Sequence, residues 1–204
     1  GFAEALLEGD PPEDLRHDFL NSIRNNAVRL QRLVDDLLDL SRLESGGWVA
    51  REGDVEVGEV AAAAWEPYAD RAAEKDVEFT VDADLRVEAD ASGLQQILRN
   101  LLENALRHTD AGGHIHVAGR RDADGRPVIE VSDDGEGIPS RALPRIFERF
   151  YRADSSRARD QGGTGLGLAI VRHLVTSMGG TVWAESELGM GTTVNFTLPR
   201  PGTP

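Results

Sequence analysis

Three glycines at alternate positions, Gly163, Gly165 and Gly167, run directly into an apolar helical pattern at Leu168, Val171, Leu174, Val175 and Met178. No other stretch constrains the fold as much. Glycine lets a backbone approach a neighbour closely, and the first turn of a helix leaves N–H groups unpaired and partly positive. Together they make an anion site suited to phosphate. Taken alone, such a run is more often a turn or a helix-packing device. Its meaning therefore depends on what lies upstream.

Residues 2 to 8 read as the tail of a helix, ended by Gly9 and Pro11-Pro12. A longer helix follows from about Glu13 to Glu44, with apolar residues three and four apart at Leu20, Ile23, Ala27, Leu30, Val34 and Leu37. That is the repeat of a helical seam. Phe19, Leu33, Leu38 and Leu40 widen it towards a four-helix bundle, of which one hairpin supplies two helices, so a homodimer is expected. The competing reading packs the helix on the chain's own globular part. Ser45-Gly46-Gly47 ends the helix, giving boundaries of 1–45 for the helical region, 46–53 for a linker and 54–200 for a second domain.

Beyond the linker the pattern changes. Strands are expected over Asp54 to Val57, Val77 to Val81 and Arg86 to Glu88, with an alanine-rich helix from Glu59 to Lys75. Asp90 caps a helix running through Leu94, Ile97, Leu98, Leu101 and Leu102 to about His108. Gly113 to Arg120 and Arg126 to Ser132 pair around an Asp124-Gly125 turn. Ser140 to Phe147 reads as a short helix, and residues 151 to 163 have the polar, aperiodic composition of a mobile loop. Thr181 to Ser186 and Thr192 to Leu198 close the fold. The expected class is α+β, a two-layer sandwich of a mixed sheet with helices on one face, preceded by a helical-hairpin remnant of a four-helix bundle.

Asn100, Asn104, Arg107 and His108 share one face of the helix after Asp90. An amide oxygen there can coordinate magnesium, and arginine or histidine can hold phosphate oxygens. A solvated face whose terminal cations meet the helix dipole is the plainer alternative, and it is favoured for His108 taken singly. Asp133-Asp-Gly-Glu-Gly-Ile-Pro139 follows a strand and turns tightly. A buried carboxylate in it accepts an exocyclic amine such as that of adenine, or the segment is simply an acidic turn. Arg149 and Arg152 either reach a phosphate or lie on the surface.

Charge and cysteine content narrow the function classes. A net charge of −14, from 22 basic against 36 acidic residues, lacks the basic footprint of a nucleic-acid binder. The absence of cysteine removes disulfides, zinc–thiolate sites and thiol chemistry. No apolar run reaches membrane-spanning length. The chain starts at Gly1 without an initiator methionine, so a fragment is expected, with any membrane segment ahead of it.

In order, these stretches resemble the N box (Asn100 to Thr109), the first glycine box (Asp133 to Gly137), the F box (Ile146 to Phe150), the second glycine box (Gly163 to Gly167) and a third (Gly189 to Thr192) of sensor histidine kinases, in the GHKL ATPase superfamily. Leu33 to Ser45 resembles the end of the second helix of their dimerisation and phosphotransfer domain. The resemblance implies ATP and magnesium (Mg2+) as cofactors. Asp133 would hold the adenine amine, with Gly135 and Gly137 shaping the pocket and Thr192 or Thr193 nearby. Asn104 would be the magnesium ligand, assisted by Asn100. Arg107 and His108 would face the phosphates, joined by Arg149, Arg152 and the segment Gly163, Thr164, Gly165, Leu166, Gly167 and Leu168. The partners implied are a response-regulator receiver domain and a second copy of the chain, in the cytoplasmic portion of an inner-membrane sensor.

Two departures qualify the resemblance. Hydrolysing relatives in the superfamily carry a glutamate four residues before the magnesium asparagine, where this chain has Asn100, a poor base. That implies transfer to protein rather than to water. The accepting-histidine motif of the first bundle helix is also missing. His17, followed by Asp18 and Asn21, resembles it superficially but lies on the helix that leads into the linker. Two rivals stay open: a nucleotide-binding dimeric scaffold without catalysis, and a serine kinase of the same superfamily. The long bundle helix argues against the latter.

Overall fold

The computed structural model describes residues 12–153 and 163–199, together with residues 4, 6 and 9. The helix expected over 2 to 8 falls mostly outside these residues, with Glu4 and Leu6 helical, and the loop expected over 151 to 163 falls outside them from 154 to 162. Helix α1 spans Glu13–Glu44 and stops at Ser45, followed by Gly46 with φ +70°, a conformation glycine adopts without strain. Leu40 and Leu43 are buried, whereas Leu20, Leu30, Val34, Leu37 and Leu38 stand about half exposed or more. Only the last turns of α1 pack on the globular part, and the rest of the expected seam faces outward.

A two-stranded antiparallel ribbon pairs β1 (Glu52–Glu56) with β3 (Arg86–Asp90). Strand β1 thus begins inside the stretch read as linker. The single helix expected over Glu59 to Lys75 is broken into α2 (Val57–Trp65), a 3-10 turn (Glu66–Tyr68) and α3 (Ala69–Glu74). Pro67 is the cause, because it lacks an N–H and its ring clashes with the preceding turn. Helix α4 (Ala91–His108) opens with the Asp90 side chain accepting the Gly93 N–H at 2.7 Å. At its other end the lysine amine of Lys75 donates to the carbonyls of Leu106 and Thr109. The short helix expected over Ser140 to Phe147 is only a 3-10 turn, Leu143–Arg145. Pro144 again removes a donor and crowds the carbonyl four residues back.

The main sheet has the order β2 (Glu78–Asp82), β4 (His114–Arg121), β5 (Pro127–Asp133), β7 (Gly191–Thr197), β6 (Val182–Glu187). Strands β2 and β4 are parallel and the other pairs antiparallel, as a mixed sheet requires. Helices α4 and α5 (Gly167–Ser177) cover one face, with α2 beside α4. Register aligns Val117, Val131 and Val194 in one buried row, and Ile129 with Phe196 in the next. These rows meet Leu94, Leu98, Leu102, Ile170 and Leu174 from the helices in a single core. One pleat further along the same face, register aligns Ile115, Asp133 and Thr192. The row that leaves the apolar core therefore carries a carboxyl beneath the end of α4.

Candidate active site

Asp133 is the last residue of β5, and side chains two apart on a strand share a face. Its carboxyl lies on the helix side with Ile129 and Val131. Burial pushes its pKa up to about 6, opposed by the backbone N–H groups of Gly135 and Thr192 and by nearby His108. The Gly135 N–H donates to Asp133 Oδ1 at 3.0 Å. The turn beyond is pinned to α4, since the Glu136 N–H donates to the His108 carbonyl at 3.2 Å and a β-carbon on Gly135 would overlap that carbonyl. Gly137 has φ +69° and lies against the Glu187 carbonyl, so both its conformation and its space call for glycine.

The polar face of α4 forms the second wall. Asn100 donates its amide to the Gln96 carbonyl at 3.0 Å, leaving its oxygen beside Gly167. Arg107 donates to Glu103 at 2.9 Å, and its other terminal nitrogen lies 3.5 Å from Asn104 Oδ1. Burial pulls the Arg107 guanidinium below its usual pKa; Glu103 works against this, while Arg71, Arg32 and Arg152 add to it. His108 Nδ1 sits 2.7 Å from Glu136 Oε1. The glycine run completes the enclosure: a β-carbon on Gly163 would lie 2.8 Å from Arg107 Nη1, and the Gly165 carbonyl accepts the Phe150 N–H at 2.8 Å.

These walls bound one cavity of about 700 Å³, a volume ordinary for a small-molecule site. Among the residues singled out from the sequence, Asn100, Asn104, Arg107, His108, Asp133, Gly137, Arg152, Gly163, Thr164, Gly165, Gly167, Leu168 and Thr192 line it. Four stand outside. Gly135 supports the Asp133 carboxyl from behind, and Leu166 is fully buried in the core at the start of α5. Thr193 is one residue along β7 from Thr192, and alternation turns it to the opposite face. Arg149 pairs with Glu44 at the end of α1 instead of entering the cavity.

Several lining residues escaped the sequence reading. Glu103 lies one residue before Asn104 and bridges Arg107 to Arg32 of α1, the latter at 3.2 Å. Its helical spacing to Arg107 was a visible signal. Asp36 of α1 accepts the Thr164 hydroxyl at 2.6 Å, a contact no local pattern announces. Tyr68 and Arg71, brought in by the Pro67 break, line the same end, with the guanidinium 5.7 Å from the ring centre.

The arrangement offers a half-buried acceptor, Asp133, at one end and, at the other, an amide oxygen, guanidinium groups and a glycine-rich helix start. It suits a ligand with an amine-bearing ring and a polyanionic tail, and the amide oxygen of Asn104 beside that tail suits a hard cation.

A family model described as histidine kinase-, DNA gyrase B-, and HSP90-like ATPase matches residues 89–202, and one described as His Kinase A (phospho-acceptor) domain matches residues 1–46. The sensor histidine kinase WalK of Bacillus subtilis (strain 168) is 37% identical over 203 residues, covering 97% of this chain and 33% of that protein. The sensor-like histidine kinase SenX3 of Mycobacterium tuberculosis (strain ATCC 25618 / H37Rv) is 35% identical over 199 residues, covering 97% and 48%. The chain thus spans a third to a half of the length of these curated relatives. Among solved structures, full-length ShkA in complex with AMPPNP aligns with a TM-score of 0.76 at 32% identity, covering 94% of this chain and 40% of that one. Histidine kinase ThkA in complex with response regulator protein TrrA aligns at 0.75 and 25% identity, covering 98% and 56%.

Proposed function

Because this chain belongs to the histidine kinase-, DNA gyrase B-, and HSP90-like ATPase family, we propose that it is the ATP-handling region of a two-component sensor histidine kinase. The observation that carries the reading is the pairing, in one cavity, of a half-buried Asp133 carboxyl with the phosphate-type groups Asn104, Arg107 and the Gly163–Gly167 turn. Asp133 accepts the adenine amine, and the close glycine packing beside it leaves a slot for the flat base. Arg107, with Arg152, faces the phosphate chain, whereas His108 stands nearer Asp133 with its ring against Glu136. Asn104 is the magnesium ligand, with Asn100 beside it. The ion, when bound, offsets charge between the phosphates.

Phosphoryl transfer asks a protein mainly for positioning and charge neutralisation. In the proposed reaction a histidine nitrogen attacks the γ-phosphorus, the bond to the bridging oxygen breaks, and ADP leaves. Asn100 has no carboxylate with which to activate water, so the phosphoryl group goes to protein. A receiver-domain aspartate then takes it from the histidine. The acceptor is a histidine on a preceding bundle helix rather than His17, which is exposed on α1. The outward apolar stripe of α1 supports a homodimer. Among the described residues no helix is long and apolar enough to cross a membrane; we assign the chain to the cytoplasmic portion of a membrane sensor.

The test is to incubate the full-length protein with magnesium and ATP labelled at the γ-phosphate. Label that survives alkali but not acid, and disappears in Asn104→Ala, is the expected result. Tight ATP binding without any such label would favour a nucleotide-gated scaffold instead.

A further inference from the structure

The hydroxyl that Asp36 holds at 2.6 Å is itself part of the glycine-rich helix start: Thr164 Oγ1 also accepts the Leu166 N–H, at 3.2 Å. A carboxyl group thus already sits at the entry to α5, and the chain supplies it from α1. Two further polar contacts seat the same stretch of α1. Gln96 donates to Asp39 at 2.9 Å, and Arg32 pairs with Glu103 at 3.2 Å. Asp36 lines the cavity beside Asn104, Arg107 and Gly163, and its neighbours Asp35, Asp39 and Glu103 are all acidic. A carboxylate in such surroundings repels a polyanion directed at the same donors. Either the phosphate chain avoids this end or Asp36 leaves it.

Building on the nucleotide reading above, we propose that Asp36 is an internal occupant of the phosphate site, so that seating of α1 and binding of a triphosphate compete for Thr164 and the start of α5. Nucleotide binding then frees the segment from Arg32 to Asp39, while Leu40 and Leu43 stay buried as the anchor about which it moves. By reciprocity, a seated α1 lowers affinity for the triphosphate by the same factor. The device ties the position of the bundle helix to the state of the nucleotide.

The experiment compares this chain with Asp36→Asn and Asp36→Ala, the alanine guarding against an asparagine oxygen that keeps the Thr164 contact. Affinity for ATP is measured by calorimetry with magnesium and again in chelator, and hydrogen exchange follows residues 30–39 with and without nucleotide. Expected are a gain in magnesium–ATP affinity of about tenfold for Asp36→Ala, and faster exchange of residues 30–39 in the parent once nucleotide is added. In the variant, exchange is already fast before nucleotide. Unchanged affinity and exchange would overturn the proposal. So would affinity lost only in the presence of magnesium, which would make Asp36 a metal ligand. A parent chain that binds no ATP overturns the nucleotide reading itself, whereas one that binds ATP but ignores both variants overturns only the competition.

Discussion

Gly135 lies against the carbonyl of His108 so closely that a β-carbon would overlap the oxygen. The turn after β5 is thereby held against the C-terminal end of α4, and with it the distance between Asp133 and the Asn104–Arg107 face. Gly135→Ala must move either the turn or the helix end. We expect a loss of about 2–3 kcal/mol in stability, read as a lower denaturant midpoint, together with weakened ATP binding. Normal stability and affinity in this variant would mean the turn is free to shift.

Asp133 sets a pH dependence of its own. Its carboxyl titrates near 3.8 when unfolded and at about 6 when folded, because burial disfavours the charge. A raised pKa means the stabilisation by the neutral form is full below about pH 4 and lost as pH rises to about 6. Asp133→Asn is expected to remove that slope and to raise ligand-free stability at pH 7 by up to about 2 kcal/mol. Thermal melts of both proteins across pH 4 to 7 decide the matter; parallel curves would contradict it.

ATP affinity should follow the opposite course. The ionised carboxylate is the stronger acceptor for an amine, so binding weakens as pH falls below about 6. Calorimetry at pH 7 and pH 5 is expected to show a drop of about tenfold, abolished in Asp133→Asn.

Asn104 is predicted to matter only through the metal. Its oxygen makes one long contact, 3.5 Å from Arg107, so removing it costs the fold little. In Asn104→Ala, ATP affinity in chelator should match that of the parent, while the gain on adding magnesium should be lost. Equal losses with and without metal would assign the side chain to direct phosphate or base contact.

Lys75, the only lysine of the chain, donates to the Leu106 and Thr109 carbonyls and so caps the helix end that carries Arg107 and His108. Lys75→Met leaves those carbonyls without their cation. The expected cost is about 1–2 kcal/mol, measured by urea denaturation, and a variant as stable as the parent would show that water replaces the cap.

The stripe of α1 is expected to behave as an interface rather than as core. Leu30 and Val34 are 63% and 48% exposed, so glutamate at both should change the stability of a single chain by less than about 0.5 kcal/mol. Self-association of the full-length protein, followed by sedimentation, should nevertheless be lost. Unaltered association would place the dimer contact elsewhere.

Much of this was legible locally. The periods of α1, α4 and α5, the Asp90 cap, the Asp124-Gly125 turn and the strand alternation are short-range signals, and they placed the elements to within a few residues. The helices expected through Pro67 and Pro144 are interrupted for a reason also present in the sequence: the apolar spacing runs on across each proline, but the proline has no N–H to donate. Arg149 could not be assigned from its neighbours, because its partner Glu44 is remote in the chain.

By itself, then, the sequence determined most of the helices and the strands, where the glycines stand, and that an amide-and-arginine face, an acidic turn and a glycine-rich helix start exist. Periodicity, caps and turn chemistry act over a few residues, so a linear reading recovers them. Tertiary structure alone decided that these parts meet. The register of β4, β5 and β7 put Asp133 in the helix-facing row with Ile115 and Thr192, where burial raises its pKa. Packing also brought Asp36 onto Thr164 across 128 positions of chain. Such contacts depend on how whole surfaces fit together, and no local pattern carries that information.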